Sequence, residues 1–395
     1  MLEIRPILST LRRHKVTAML LVLEIALTCA IVCNAVFLVR ERLDWIHISS
    51  GIDEANIVQV RPVNVDGDAS GTHARAQATA AALRELPGVA SVSLVNQVPL
   101  GNESWNSGIK LDREIAKPAM HVTTYYGEHL IDTLGLQLVA GRDFTDSEYA
   151  WFDDVVIVTE FMAQRLFKGN ALGKTIWYGD EPLRIIGVVR NVVRPSTDDR
   201  DVVYGSVIMP IRMVESMGAS YVLRTKPGQA ASVVNAAAAT LRGLDPNRVI
   251  MQKRTFAEIR KAYFASDRAM ANLLVGVCLA LLIVTALGIV GLGSFWVSQR
   301  RRQIGVRRAL GATRRDVLRY FQTENFLLAT MGIALGMVLA YAINIVLMVH
   351  YELPRLPFAY LPLGAVILWL LGQAAVFAPA YRASNVPPVE ATRGN

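Results

Sequence analysis

Cysteine is scarce in this chain: Cys29, Cys33 and Cys278 are the whole supply. Each falls inside a long apolar run. The polar region between the first two runs therefore has no disulfide to lean on and must rest on its own core. Cys29 and Cys33 share a helix face by spacing, but they read as small packing residues. His73, His121 and His129 are scattered, and neither a His-x-x-x-His nor a paired Cys-x-x-Cys occurs, which argues against a metal site. A Gly-x-Ser-x-Gly elbow is missing too. Lys168-Gly-Asn-Ala-Leu-Gly-Lys-Thr175 comes near a phosphate-binding loop, yet Lys168 stands where the first glycine is required, and the segment reads as a turn. Charged residues are few, at 19%. The net charge of +8 does not point to nucleic acid, because the arginines concentrate beside apolar runs, where topology explains them.

What the chain has is apolar length. The apolar fraction is 52% and the mean hydropathy +0.33. Four runs are long enough to cross a membrane: Val16–Val39, Met270–Val297, Asn325–Val349 and Leu361–Tyr381. The first is too long for a signal-peptide core and reads as a retained anchor. Arg5, Arg12, Arg13 and Lys15 precede the first run, and Arg300 to Arg319 follow the second. Arg355 stands alone in the loop between the third and fourth, and the tail carries Arg382 and Arg393. With basic clusters retained on the cytoplasmic side, both termini are expected in the cytoplasm. The expected order is a cytoplasmic segment 1–15, a span 16–39, an extracytoplasmic domain 40–268, a span 270–297, a cytoplasmic loop with helices 298–324, a span 325–349, a short outer loop 350–360, a span 361–381 and a cytoplasmic tail 382–395.

Within 40–268, strand-like pieces (Ala55–Val60, Ala90–Val95, Asp154–Thr159, Leu183–Val189, Tyr221–Thr225) alternate with helical ones (Gly71–Leu86, Glu160–Lys168, Ala230–Leu241), which predicts an α+β domain. Trp45 reads as a membrane-interface anchor. Glu24 and Asn34 put polar groups inside the first run. A carboxylate there is costly, and either a coupling or substrate contact or a hydrogen-bonded packing role accounts for it. Gly332 and Gly336 form a Gly-x-x-x-Gly pair suited to close helix packing, within the bundle or against a second chain.

The stretch Gln299–Asp316 holds more design than topology needs. Ile304, Val306, Ala309 and Leu310 are expected to form an apolar stripe between the arginines, Gly311 stops a helix, and Thr313 with Asp316 can cap the next one. This predicts two short amphipathic helices broken at a glycine, suited to docking a cytoplasmic partner.

Gln303-Ile-Gly-Val-Arg-Arg-Ala-Leu-Gly-Ala-Thr313 resembles the signature loop of MacB/FtsX-type permeases of ATP-binding-cassette (ABC) systems. Val139-Ala-Gly-Arg-Asp-Phe144, Val155-Val-Ile-Val-Thr159, Ala171-Leu-Gly-Lys-Thr-Ile176, Ile185-Ile-Gly-Val-Val189 and the ending from Pro379 to Arg393 are similar to further motifs of that family, in the same order. The resemblance implies four transmembrane helices with a two-lobed extracytoplasmic domain between the first and second, the second lobe inserted at about 96–203. It implies a non-catalytic, multi-pass subunit of a bacterial inner membrane that binds no cofactor itself. ATP and Mg would be handled by two copies of an ATPase partner docked on Gln303, Ile304, Gly305, Val306, Arg307, Arg308, Ala309, Leu310, Gly311, Ala312 and Thr313. A second permease chain is implied, homo- or heterodimeric, and an adaptor and outer-membrane duct in a two-membrane organism. Arg40–Leu43 and Ala262–Arg268 are expected to extend the first two spans as rods carrying motion outward, a mechanotransmission scheme for efflux of an amphiphile, antibiotic or peptide. A lipoprotein-releasing permease and a regulator of cell-wall enzymes are the alternatives; the long Arg40–Arg268 region argues against the regulator.

Overall fold

The computed structural model describes residues 15–64, 72–103, 105–151, 154–197, 199–351 and 355–385. Along the chain run α1 (Lys15–Ile46), β1 (Ile57–Asn64), α2 (His73–Arg84), β2 (Val89–Val95), β3 (Asn106–Lys110), β4 (Met120–Tyr126), α3 (Leu130–Leu134), β5 (Leu138–Gly141) and α4 (Asp146–Trp151). They are followed by β6 (Val155–Thr159), α5 (Glu160–Phe167), β7 (Thr175–Tyr178), β8 (Glu181–Val189), β9 (Ser206–Met209), β10 (Ser220–Thr225), α6 (Ala230–Leu244), β11 (Arg248–Thr255) and α7 (Phe256–Tyr263). The chain ends in α8 (Ala265–Gln299), α9 (Arg301–Ala309), α10 (Arg314–Tyr351) and α11 (Tyr360–Ser384). Two compact units result: Met1–His47 with Ser266–Asn395, and Ile48–Ala265.

The first unit is helical. Helices α1, α8, α10 and α11 are each long and apolar enough to cross a membrane. In lipid a backbone must satisfy its own hydrogen bonds, which a helix does. At about 1.5 Å per residue, the 32 residues of α1 rise roughly 48 Å, well beyond an apolar layer of about 30 Å. The surplus carries charge: Arg40 pairs with Asp44, and Arg42 reaches Asp267 near the start of α8. The extension expected through Ala262–Arg268 is not one rod, because α7 closes at Tyr263 and Phe264 breaks the helix before α8 begins.

Glycine sets the closest approach in the bundle. A Cβ on Gly332 would stand 2.8 Å from Ile25 Cβ, and one on Gly336 would stand 2.5 Å from Cys29 Cβ and 2.7 Å from the Ala26 carbonyl oxygen. The Gly-x-x-x-Gly pair of α10 therefore packs inside the bundle, on α1. The three cysteines are buried and unpaired, as packing residues should be.

The second unit contains two sheets. The smaller, in the order β11-β1-β10-β2, is antiparallel throughout. Val58, Val60, Val92 and Leu223 of its strands share a core with Leu83 of α2 and with Val233, Ala237 and Leu241 of α6. The larger runs β5-β8-β6-β9-β4-β3-β7, and β7 also pairs with β8. That last pairing closes the ring and leaves β5 as the outer strand; closure removes the edges of the ringed strands that would otherwise invite aggregation. The β6 strand is buried at every position, as its β-branched run requires. The strands of this lobe span Asn106–Met209, so β9 lies past the expected edge at 203. Tyr125, fully buried, donates to the Val193 carbonyl at 2.7 Å, one of the ties that serve in place of disulfides.

The phosphate-loop lookalike is a structural turn. Lys168 closes α5 in the left-handed region (φ 52°). The N–H groups of Lys168, Gly169, Asn170, Gly173 and Lys174 are spent on the carbonyls of Gln164, Ala163, Phe167, Ile185 and Ala171. A strand follows, not the helix N-terminus that would cradle a phosphate.

Candidate docking element

α8 ends in a buried ion pair. Arg300 Nη1 donates to both carboxylate oxygens of Glu324 on α10, at 3.0 and 2.8 Å, with the side chains only 8% and 1% exposed. The Arg300 guanidinium also lies 5.9 Å from the Trp296 ring. From this anchor the chain enters α9. Ile304 and Gly305 are buried, and Ile304 packs with Val297, Val317, Phe321, Ala380 and Ala383. Arg308 donates to the Ser384 carbonyl at the end of α11 at 3.1 Å. Arg307 lies 5.0 Å over Tyr320 of α10. The element is thus held to three different spans.

Beyond Ala309 the helix stops. Gly311, at φ 101°, takes a left-handed conformation that a side chain disfavours. The Leu310, Gly311 and Ala312 N–H groups satisfy the carbonyls of Val306, Arg308 and Arg307. The capping pair read from the sequence is present: Thr313 N–H and hydroxyl donate to Asp316 Oδ2 at 2.9 and 2.6 Å, and the Asp316 N–H donates back to Thr313 Oγ1 at 3.3 Å.

Two expectations are corrected. The second helix is not short: once capped it runs unbroken from Arg314 to Tyr351, because no glycine or proline separates the capped turn from the third apolar run. And Ile304, Val306, Ala309 and Leu310 do not form one stripe. At about 100° per residue, Ile304 and Val306 lie some 160° apart. Ile304 faces the bundle, while Val306 is 46% and Leu310 83% exposed. Arg302, Ala309 and Gly311 are also exposed, and Leu310 is the most exposed apolar side chain of the element.

The arginines divide by task. Arg300 and Arg308 brace the element, Arg307 is exposed but lies over Tyr320, and Arg301, Arg302, Arg314 and Arg315 are exposed around it. Between α9 and α10 lies a cleft of about 170 Å³, lined in part by Gln303, Arg307, Ala312 and Tyr320. Glu324, Tyr320 and Ser384 were missed from sequence; Glu324, an acid at the mouth of an apolar run, was the available signal.

The two polar residues of α1 belong elsewhere. Asn34 Nδ2 donates to the Ala30 and Ala340 carbonyls, both at 3.0 Å, tying α1 to α10. Glu24 lies flat on α8, where a Cβ at Gly288 would come within 2.5 Å of its carboxylate. One turn on, Thr28 and Thr285 share a 2.7 Å hydrogen bond. No hydrogen-bond partner for Glu24 occurs among the described residues.

The profile of the MacB-like periplasmic core domain matches residues 40–241, and that of the FtsX-like permease C-terminal region matches residues 250–388. The chain is 28% identical over 279 residues to the macrolide export ATP-binding/permease protein MacB of Chromobacterium violaceum, covering 67% of this chain and 42% of that relative's length. It is 24% identical to the uncharacterized ABC transporter permease YvrN of Bacillus subtilis over the full length of both. Among solved structures, the periplasmic region of MacB from Actinobacillus actinomycetemcomitans overlaps 54% of this chain and 94% of its own, at 19% identity and a TM-score of 0.36. With the periplasmic core matched over residues 40–241 and the permease region following over 250–388, this multi-pass membrane protein belongs to the MacB/FtsX family of ABC transporter permeases.

Proposed function

We propose that this chain is the non-catalytic permease subunit of an ATP-driven efflux system that works by mechanotransmission. ATP is hydrolysed by a separate subunit, present in two copies, that grips α9 from the cytoplasm. The exposure of the tip supports this most strongly. Leu310 is 83% exposed while Ile304, on the same short element, is buried against Val297, Val317, Phe321, Ala380 and Ala383, so the element is fixed to the ends of the spans and leaves an apolar side chain free for a partner.

Force entering at Leu310 meets a braced element, not a loose loop. Arg300 carries it to α10, Arg308 to α11, and α8 leads from Arg300 directly to the periplasmic core domain. Both termini lie in the cytoplasm in this scheme, and an amphiphilic, antibiotic or peptide substrate is handled outside the membrane. A second permease chain completes the bundle, with an adaptor and outer duct where the cell has two membranes.

The test is copurification in mild detergent, followed by ATPase assay, of the wild-type chain and Leu310→Glu. The expected result is an ABC ATPase retained by the wild type and lost from a variant that still inserts and folds. Equal retention by both would overturn the docking role.

A further inference from the structure

A cleft lies between α9 and α10, on the same element whose tip is exposed. Its volume of about 170 Å³ is room for roughly five or six water-sized groups, the scale of one side chain. Ile304, Val317 and Phe321 give it an apolar floor. Among its lining groups Arg300 is occupied by Glu324, and Asp316 is occupied by the Thr313 cap. Gln303 and Arg307 are different. Both are exposed, and among the described residues the Arg307 guanidinium meets a tyrosine face but no carboxylate, and the Gln303 amide has no hydrogen-bond partner. A guanidinium and a carboxamide beside an apolar floor present N–H donors together, the complement of a carboxylate on a short apolar stem.

Charge points the same way. From Arg300 to Tyr320 the sequence has one acid, Asp316, against Arg300, Arg301, Arg302, Arg307, Arg308, Arg314, Arg315 and Arg319. Glu324 is taken by Arg300 and Asp316 by the Thr313 cap, so among the described residues these acids leave the cleft's surroundings strongly basic.

We propose that this cleft takes an acidic side chain, a glutamate or aspartate, from the docked ATPase subunit, so that the two chains interlock: the Leu310 tip enters the partner while the partner's carboxylate enters between Gln303, Arg307 and Tyr320. The proposal rests on the docking reading above and adds the chemistry of the partner's contact. Arg307 then sets affinity and its salt dependence, and Leu310 sets whether docking occurs at all.

The experiment measures binding of the ABC ATPase recovered with the wild-type chain to full-length permease in nanodiscs, at low and high salt, in neutral and in anionic lipid. Arg307→Gln should weaken binding tenfold or more and flatten its salt dependence in both lipids, with Arg307→Lys restoring part of the loss. If Leu310→Glu abolishes binding while Arg307→Gln stays within twofold of wild type, docking stands and the interlocking carboxylate is refuted. If neither variant matters, both readings fall. If the Arg307→Gln defect appears only in anionic lipid, the cleft serves phospholipid headgroups and the proposal is overturned.

Discussion

Replacing Glu324 by alanine should disable the brace without touching the tip. Arg300 and Glu324 are 8% and 1% exposed, so the variant leaves a guanidinium in a site with little water and no counter-charge. Breaking a buried pair from one side costs about 3–5 kcal/mol. At about 1.4 kcal/mol per factor of ten, local stability should fall by roughly two to four orders of magnitude. The Ile304 N–H, bonded to the Arg300 carbonyl at 2.9 Å, reports the change directly by hydrogen exchange in nanodiscs. The double variant Arg300→Met/Glu324→Met should regain most of the loss, since an apolar pair of similar volume is commonly neutral. An exchange rate in Glu324→Ala within threefold of wild type would refute the idea that this pair anchors α9.

Gly336→Ala should destabilise the bundle by about 1–3 kcal/mol, because its Cβ meets Cys29 and the Ala26 carbonyl, whereas Gly276→Ala, with open space around it, should be neutral in the same thermal unfolding assay. Gly311→Ala has room but the wrong backbone, and a left-handed residue with a side chain costs about 1–2 kcal/mol; faster exchange at the Ala312 N–H with an intact bundle is the expected signature. In the periplasmic core domain, Arg142, bonded to both Glu148 oxygens at 2.8 and 2.6 Å, holds that carboxyl down to about 2, helped by the Thr145 N–H. A depressed carboxyl stabilises the fold above its ordinary value of 4.5 and loses that contribution as pH falls through about 2. Arg142→Gln should move the loss to higher pH in an acid unfolding titration; an unchanged curve would contradict the assignment.

The sequence spoke clearly where one physical signal dominated. Four apolar runs stand out because lipid demands length and uniformity. The Gly311 stop and the Thr313–Asp316 cap were legible because helix ends need particular residues. In the domain, β6 and β8 were visible as β-branched runs. The short strands β3 and β5 were not: Asn106–Lys110 and Leu138–Gly141 carry glycine and few core residues, and they exist because neighbours pair with them. Ring closure through β7 and β8 depends on distant pairing that no local pattern encodes. Within the docking element, the sequence gathered the residues but not their directions. Ile304 and Leu310 are both apolar; only tertiary packing makes one a root and the other a tip. Likewise the arginines look alike until Glu324, Ser384 and Tyr320 claim Arg300, Arg308 and Arg307.

The most direct test of the docking claim is a photo-crosslinking amino acid placed at Leu310 in the native membrane, with Leu287 of α8, exposed on a membrane span, as the control. Position 310 should yield an adduct identified by mass as an ABC ATPase, lost when Arg300 and Glu324 are unpaired, and position 287 should yield none. Adducts at 310 made only with phospholipid would contradict the account.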